Sequence, residues 1–488
     1  MSLRAFFNSD AVYLPSVFSD IFISHHHFTS WFFTPAPYFF PDMFVFFGIN
    51  TFIHSVFYSI IIYAVFQSLL TLFIISKIAY LVTKQKSSIL WTHIVFLLIL
   101  VYPAMKSLDL FGASFKSACH FGTIINGLLL LLCIMKYCKK PLLKYLIVIF
   151  SLAILGAASD LLFIVQFIIP IIAAFIIFKM FKMKVNLHIF KISLILIAGS
   201  LMGCSAKYFF ILGNNSNYIL QSPKKITLVF EGFLQKFKLI FLQNPIFATL
   251  VLVFYVILAV TVIHERRKKA ENFIECEERN YVFFLGFFVF LSMLCTLGNF
   301  VINHLFITTR YLLPVFFLPI ALCWLPFTSI FKSLAINRIL MTALFLILFL
   351  AMAEKLYFRT PYQYGYYPQQ VFCIDSGIKE YNSHRQEKIE YGISAYWLAK
   401  STAILSKEGI VISQYEENLK RRLWITTSEN YRDRYDFAIT SNQGPGYMLD
   451  INLIKHINGE PITSFECGND ITVLIYGKDR LRVVTEGY

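Results

Sequence analysis

Charged residues are scarce in this chain of 488 residues. Asp, Glu, Lys and Arg together make up only 15% of it, whereas hydrophobic residues make up 57%. An ordinary soluble domain carries about 25% charged residues. The composition therefore excludes a protein that is soluble along its whole length, and it indicates a chain that lies largely within a membrane.

Several motifs are also missing. The sequence has no phosphate-binding loop of the GxxxxGK type, so ATP-driven transport is not indicated. It has no CxxC pair and no Cys/His spacing that is typical of zinc sites. No internal repeat, heptad series or low-complexity segment is evident. The sequence therefore indicates a membrane protein that has no recognisable ATP-binding motif and no recognisable zinc-binding motif.

Long apolar runs separated by short polar loops continue to about residue 353. A helical span needs about 20 mostly apolar residues, because the bilayer core offers no partner to an unpaired backbone group. We predict about ten spans, at 54–82, 89–104, 121–138, 142–158, 161–178, 188–212, 245–264, 281–302, 311–329 and 337–353. From Glu354 to Tyr488 charged and polar residues return, so this part is expected to fold in water.

Lys and Arg concentrate in alternate loops, and this pattern predicts the orientation of the chain. The basic loops contain Lys84 and Lys86; Lys136, Lys139 and Lys140; Lys179, Lys182 and Lys184; Arg266, Arg267, Lys268 and Lys269; and Lys332. We place these loops in the cytoplasm of a bacterium and the chain in the inner (plasma) membrane. The net charge of +15 then reflects orientation, and no nucleic-acid partner is expected.

Three regions follow from this topology. We predict an extracytoplasmic acidic and aromatic loop at 1–53, a helical membrane domain at 54–353 and an extracytoplasmic soluble α/β domain at 354–488. No span or cleavable signal precedes Asp10, so we expect a first helix that the present sequence lacks. Cys373 and Cys467 fall in the outer domain, where oxidation is permitted, but the sequence alone favours leaving them unpaired.

The first 42 residues contain Asp10, Asp20 and Asp42 among aromatics and prolines. A carboxylate at a membrane surface becomes more basic when neighbouring side chains partly remove it from water. The simplest structural alternative is that Asp10 caps a helix and Asp20 is a solvated loop acid. Two further polar residues are given structural roles: Asp160 as the corner of a tight hairpin between spans, and His120 as a cap or packing residue.

Five strings of the sequence form one pattern. Two lie near the start, NSDAVYLPSVFSDIF and TPAPYFFPDM, and one lies before a late span, TTRYLLPVFFLP. The other two lie near the end, YGISAYWLAKSTAILSKEGIVI and RLWITTSENYRDRYDFAI. This pattern resembles the GT-C glycosyltransferases, which include aminoarabinose transferases and protein O-mannosyltransferases. The resemblance implies an essential aspartate in the first extracytoplasmic loop, at the position of Asp10. It also implies a polyprenyl-phosphate sugar donor and eleven spans once the expected first helix is counted.

The implied reaction is an inverting transfer, in which Asp10 takes the acceptor proton and Asp20 is a second catalytic candidate. Cations near the outer leaflet would stabilise the departing lipid phosphate, and Arg310 is the best candidate, supported by Lys207 and His304. The alternative for Arg310 is a side chain that snorkels from a helix end. Asp42, with Asp20, could hold a divalent cation or orient the acceptor, and the identity of any metal is left unknown.

The soluble tail is expected to cover the membrane site and help to select the acceptor. YGISAYWLAKSTAILSK is predicted to form an amphipathic helix, and GIVISQY, RYDFAITS and DITVLIYG are predicted strands. Trp397, Trp424 and Tyr435 could contact sugar rings, although core packing is the preferred interpretation for Trp397.

The expected partners are membrane lipids, the polyprenyl-phosphate sugar and an envelope glycan, lipid or protein as acceptor. Two other classes remain open. A secondary transporter would have a similar number of spans, but it usually places ionisable residues near the midplane. A non-catalytic envelope polysaccharide-assembly protein would have the same topology, and it would tolerate replacement of Asp10 by Asn.

Overall fold

The computed structural model describes residues 7–84, 115–180, 189–211, 277–302, 309–322 and 366–483. Within the last range, residues 445 and 469 are not described. A few isolated helical positions between 89 and 93 and between 227 and 259 are also described. Two regions are apparent: a set of apolar helices and a C-terminal domain built on a small sheet.

Four of the described helices are long and apolar enough to cross a membrane, namely Val56–Thr83, Phe121–Lys139, Ile189–Phe209 and Tyr281–Val301. Each coincides with a predicted span, because long apolar sequence with few charged residues favours one continuous helix in lipid. The Val56–Thr83 helix leaves Val65, Leu69 and Phe73 more than half exposed. Large apolar side chains that face outward in this way are suited to lipid.

The prediction of about ten spans is met only in part within the described residues. The predicted spans 142–158 and 161–178 correspond to shorter helices, Leu143–Ser159 and a second one that runs to Met180. The second begins with a π-helical stretch, Ile164–Ile168, and continues as Ile169–Met180. Of span 311–329, the described part holds a helix at Leu313–Leu322. Spans 89–104, 245–264 and 337–353 lie wholly or largely outside the described residues.

Small residues bring neighbouring helices close together. A Cβ placed on Gly203 would lie 2.3 Å from the carbonyl oxygen of Ile154, and one on Gly199 would lie 2.7 Å from the Cβ of Ala153. The Ile189–Ile211 helix therefore packs backbone to backbone against Leu143–Ser159. This close approach is typical of helices that associate in lipid, where van der Waals contact replaces the hydrophobic effect.

The N-terminal segment, residues 7–53, is folded rather than a plain loop. It contains the helices Tyr13–Phe18 and Phe44–Ile53, the π-helical stretches Ser19–Ile23 and Phe39–Met43, a 3₁₀ turn at Phe28–Ser30 and the short strand β1 (Trp31–Phe32). Its aromatic side chains form a buried cluster that includes Tyr13, Trp31 and Phe46. Pro35 and Pro37 lie between β1 and the Phe39–Met43 stretch, whereas Pro41 lies within that stretch.

The C-terminal domain is an α/β domain, as predicted. Its main sheet has the strand order β3-β2-β6-β8-β7, formed by Val411–Gln414, Tyr391–Ser394, Phe437–Ser441, Ile471–Ile475 and Thr463–Cys467. Strands β3, β2 and β6 are parallel, whereas β8 and β7 pair antiparallel. Helices Gln369–Ser383, Tyr396–Leu405 and Ile451–Asn458 and the short pair β5 (Arg434–Tyr435) and β9 (Leu481–Arg482) complete it.

Two predictions for this domain were wrong. The helix expected from Tyr391 begins only at Tyr396, because Tyr391–Ser394 forms the central parallel strand β2. Burial in the middle of a sheet outweighed the apparent helical periodicity of this short apolar run. Cys373 and Cys467, expected to be unpaired, form a disulfide with a Cα–Cα distance of 5.6 Å. It links the Gln369–Ser383 helix to strand β7.

The two ends of the chain are joined directly. Strand β1 pairs antiparallel with β4 (Thr426–Thr427), so Trp31 lies opposite Thr427. The Ser9 hydroxyl donates to the carbonyl oxygens of Tyr396 and Trp397, at 2.8 and 3.0 Å. The C-terminal domain therefore rests on the N-terminal segment, and any site in that segment is shared between the two.

Candidate functional site

The carboxylate of Asp10 lies between two distant parts of the chain. Nη1 of Arg310 is 3.3 Å from Oδ2, and the Tyr396 hydroxyl donates a short hydrogen bond to Oδ1. The Asp10 and Arg310 side chains are 30% and 34% exposed. The structure thus brings together two residues that the sequence analysis assigned to one implied reaction, and it leaves both partly exposed.

Local hydrogen bonds fix the backbone around Asp10. The Asn8 side chain accepts from the backbone N–H of Ala11 at 2.9 Å, and Ser9 is attached to the C-terminal domain. The helix that follows begins at Tyr13 with Val12 as its cap residue, and this cap makes no side-chain hydrogen bond. Asp10 therefore does not act as the helix cap that the simplest alternative proposed, and its carboxylate points to Arg310 and Tyr396 instead.

Arg310 lies in the 3₁₀ turn Thr309–Leu312, directly before the apolar helix Leu313–Leu322. Its guanidinium carbon lies 5.5 Å from the centre of the Tyr311 ring. Its Nε is buried and makes no hydrogen bond within the described part of the chain. A guanidinium has five N–H donors in a planar fork, so Arg310 keeps donors for an anion besides the one that faces Asp10.

Tyr396 is held in its neutral form beside the carboxylate. Burial, and then the nearby charge of Asp10, raise the pKa of Tyr396 well above its ordinary value. The hydroxyl therefore keeps its proton and donates it in a hydrogen bond to Asp10 across the pH range of enzymes. Nothing in the sequence indicated this contact, because the two residues are 386 positions apart.

Asp20, the second predicted catalytic acid, does not join this group. Its Oδ2 lies 3.7 Å from Nζ of Lys400, which is only 4% exposed. The same ammonium lies 5.3 Å from the centre of the Trp31 ring. A buried cation needs a charged or aromatic partner, so Asp20 has a structural role in joining the N-terminal segment to the Tyr396–Leu405 helix.

Asp42, predicted to contact an acceptor or metal, is buried and already satisfied by protein groups. Its Oδ1 accepts from the Tyr63 hydroxyl at 2.8 Å and from the Ala118 N–H at 3.2 Å. Burial raises its pKa to about 6, although both hydrogen bonds oppose this shift. At 1% exposure Asp42 is not accessible to an acceptor. Within the described residues, no group of three or more His, Cys, Asp or Glu side chains could hold a metal ion.

Of the two residues predicted to support Arg310, the structure describes Lys207 but not His304. The ammonium of Lys207, near the end of the Ile189–Ile211 helix, donates to the carbonyl oxygen of Pro35 in a short hydrogen bond. It therefore attaches this helix to the N-terminal segment, and its predicted role in phosphate binding stays a prediction. His304 lies outside the described residues.

A buried relay of three side chains was missed by the sequence analysis. The Tyr38 hydroxyl lies 2.9 Å from Nε2 of His120, and Nδ1 of His120 lies 2.6 Å from Oδ2 of Asp160. Thr123 donates to the same oxygen at 2.7 Å. Asp160 is therefore more than a hairpin corner and His120 more than a cap, because together they form a continuous hydrogen-bonded chain.

Burial and neighbouring charges shift the pKa values of two members of this relay, Asp160 and Tyr38. Burial alone would raise the pKa of Asp160, but the adjacent His120 and the hydrogen bonds to its carboxylate lower it below the ordinary value. Burial and the Asp160 charge raise the pKa of Tyr38 well above normal. The Tyr311 ring centre lies 4.8 Å from that of His120, so the relay packs against the turn that carries Arg310. The signals that could have revealed it were an acid between two nearly joined spans and a histidine at the start of another.

The chain matches no protein-family model, no curated protein and no solved structure.

Proposed function

We propose that this protein is an inverting glycosyltransferase, which moves a sugar from a polyprenyl-phosphate carrier to an envelope acceptor at the outer face of a bacterial inner membrane. The observation that carries the proposal is the pairing of Asp10 with Arg310 at a distance of 3.3 Å, with about a third of each side chain exposed. A carboxylate beside a guanidinium supplies the base and the phosphate-binding cation that such a reaction needs.

In the proposed reaction, Asp10 accepts the proton of an acceptor hydroxyl group. The hydroxyl oxygen forms a bond to the anomeric carbon, and the bond from that carbon to the phosphate oxygen breaks. The electron pair of the broken bond remains on the polyprenyl phosphate, whose added negative charge Arg310 stabilises. Tyr396 holds the carboxylate in position by its hydrogen bond to Oδ1.

The topology in this proposal comprises about ten spans, with the N-terminal segment and the C-terminal domain on the extracytoplasmic side. The Cys373–Cys467 disulfide supports this side for the C-terminal domain, since disulfides persist in oxidising compartments. Among the described cysteines of the helical region, Cys119, Cys133, Cys204 and Cys295 form no disulfide. The expected donor lies in the outer leaflet, beside the turn that carries Arg310.

Binding of a polyprenyl phosphate to the purified protein in lipid nanodiscs tests the proposal. We expect Arg310→Gln to weaken this binding at least tenfold and Arg310→Lys to weaken it less, because Lys retains the charge but not the planar fork. Arg480→Gln, at an exposed position of the C-terminal domain, is the matched control. Equal affinity of the wild type and Arg310→Gln would contradict the assigned role of Arg310.

A further inference from the structure

A cleft of about 690 Å³ opens between the start of the N-terminal segment and the C-terminal domain. Its size is within the range of small-molecule sites, about 300–1,000 Å³. We call it the aromatic cleft. Its described lining residues, all of them aromatic, aliphatic, amide or hydroxyl-bearing, include Phe7, Asn8, Gln370, Phe372, Trp397 and Tyr447.

The aromatic cleft carries no charged side chain among these described lining residues, although the whole chain has a net charge of +15. A site for a phosphate, a carboxylate or an amine would present an opposite charge. What lines the cleft instead is a set of aromatic rings, amides and hydroxyl groups. This chemistry fits a neutral ligand that has both apolar faces and many hydroxyl groups.

The aromatic rings are held in fixed orientations. The Trp397 ring stacks on Tyr447 with centroids 6.1 Å apart, and Phe7 stacks on Tyr366 at 4.6 Å. Trp397 also packs closely against Gly446, where an added Cβ would lie 2.9 Å from its ring. Phe7 is buried, whereas Trp397, Tyr366 and Tyr447 are partly exposed. Rigid, partly exposed rings are suited to the C–H faces of pyranose sugars, since a flat apolar surface is available without loss of side-chain entropy.

Polar groups are available beside the rings. Asn8 uses its side-chain oxygen to accept from Ala11, which leaves its NH₂ group to donate. Gln369 and Gln370 begin the Gln369–Ser383 helix and line the same cleft. A primary amide both donates and accepts, so it can bind adjacent sugar hydroxyl groups.

The aromatic cleft adjoins the Asp10 site along the chain. Asn8 is two residues from Asp10, and Trp397 follows Tyr396, whose hydroxyl contacts Oδ1 of Asp10. Arg310 contacts the other oxygen, Oδ2. The two carboxylate oxygens therefore face different partners: one faces the turn before a membrane helix, the other the domain that carries the cleft.

We infer that the aromatic cleft binds the acceptor, and that this acceptor is a neutral saccharide chain. The inference rests on the proposed function in calling the bound saccharide an acceptor. The lipid-linked donor occupies the Arg310 side of Asp10, and the saccharide presents a hydroxyl group from the Tyr396 side. A neutral peptide is the competing occupant, and the test includes it.

The test measures binding of cellobiose, maltose, lactose and di-N-acetylchitobiose to the full chain in lipid nanodiscs. Phe372→Ala and Gln370→Ala change cleft residues at half-exposed or exposed positions, so they should leave the fold intact. Ile462→Ala and Asn442→Ala are matched controls at exposed positions that do not line the cleft. We expect at least one disaccharide to bind, at least tenfold more weakly to each cleft variant and within twofold of wild type to each control.

The inference is overturned if none of these saccharides binds, if cleft variants bind them as tightly as the controls, or if an uncharged Gly-Ser octapeptide binds more tightly. Asp10→Asn separates this result from the proposed function, since it should abolish transfer and leave saccharide affinity unchanged. Saccharide binding that depends on the cleft residues, without any sugar transfer by the wild type, would support the cleft as a saccharide site and contradict the proposed transferase activity. If transfer occurs and its acceptor KM is unchanged in both cleft variants, the proposed enzyme activity is supported and the acceptor role of the cleft is contradicted.

Discussion

Arg310 and Asp10 form an ion pair across 300 residues of sequence, with 3.3 Å between Nη1 and Oδ2. About a third of each side chain is exposed, so in water the pair would contribute at most about 1 kcal/mol to stability. A contact of such small energetic value contributes little to folding. It lies beside the start of an apolar helix and next to the C-terminal domain, where the proposed transfer needs a base and a cation.

Replacing Tyr396 by Phe removes the hydroxyl that donates to Oδ1 of Asp10. A hydrogen bond to a charged group contributes about 1.5–3 kcal/mol, so we expect kcat for sugar transfer to fall about 10- to 100-fold. The donor KM should change little, since Arg310 is untouched. Tyr58→Phe is the control, because Tyr58 is 46% exposed on another helix. An unchanged kcat in Tyr396→Phe would contradict the role of Tyr396 in positioning the Asp10 carboxylate.

Replacing Asp160 by Asn removes the charge at the end of the Tyr38–His120–Asp160 relay. The pKa of Asp160 is lowered in the folded state, so its contribution to stability is present above its unfolded pKa and lost as the pH falls through the lower folded value. At pH 7 the contribution is complete. We expect a loss of about 1–3 kcal/mol in the free energy of unfolding, read from thermal unfolding in detergent.

The matched control for this change is Asp470→Asn, whose carboxylate makes an exposed hydrogen bond to Gln443. That variant should unfold within about 0.5 kcal/mol of the wild type. Equal stability of the wild type and Asp160→Asn at pH 7 would show that the relay does not stabilise the fold.

Replacing Gly122 by Ala tests how closely Asp42 approaches the Phe121–Lys139 helix. An added Cβ would lie 1.8 Å from Oδ2 of Asp42, whose other oxygen, Oδ1, accepts hydrogen bonds from Tyr63 and Ala118. We expect a loss of about 1–3 kcal/mol, as for other overpacked sites. Gly48→Ala has open space around its Cβ, and it should be neutral or slightly stabilising because Ala favours helix. Similar thermal unfolding of the two variants would contradict the observed packing.

The pH dependence of stability tests the burial of Asp42. Its pKa rises from 3.8 to about 6 on folding, so its neutral form is favoured in the folded state. The stabilising contribution is fully present below the unfolded pKa and is lost as the pH rises through about 6, by roughly 3 kcal/mol in total. Thermal unfolding of the wild type between pH 4 and 7 should show this loss, and Asp42→Asn should not. The same pH dependence in both proteins would contradict the prediction.

The sequence predicted the features that depend on local composition. The spans at 54–82, 121–138, 188–212 and 281–302 appear as helices, since long apolar runs with few charges must pair their backbone groups internally in lipid. Asp10 and Arg310 could also be singled out, because each is an ionised residue where an apolar segment meets water. Their roles in transfer remain proposals.

The features that the sequence analysis missed depend on contacts between distant residues. The partner of Asp10 on the C-terminal side, Tyr396, was considered only as part of a helix face, and the helix boundary itself was wrong by five residues. Trp397, for which core packing was preferred, does pack against the buried aromatic cluster, but it is half-buried and also lines the aromatic cleft. Tyr435, considered for sugar contact, is fully buried beside Tyr415. No local sequence pattern predicts whether these side chains are buried or exposed, because their burial depends on how distant elements pack against them.

The central claim is that Asp10 is the base of a sugar transfer from a lipid phosphate. The most direct measurement is a single-turnover assay in nanodiscs, with radiolabelled polyprenyl-phosphate sugars and envelope glycan, for the wild type, Asp10→Asn and Asp433→Asn. Asp433, with a side chain 91% exposed, is the matched control. The account predicts that Asp10→Asn slows label transfer about 10²- to 10⁴-fold while the control remains within twofold of the wild type. Transfer by Asp10→Asn within threefold of the wild-type rate would contradict it.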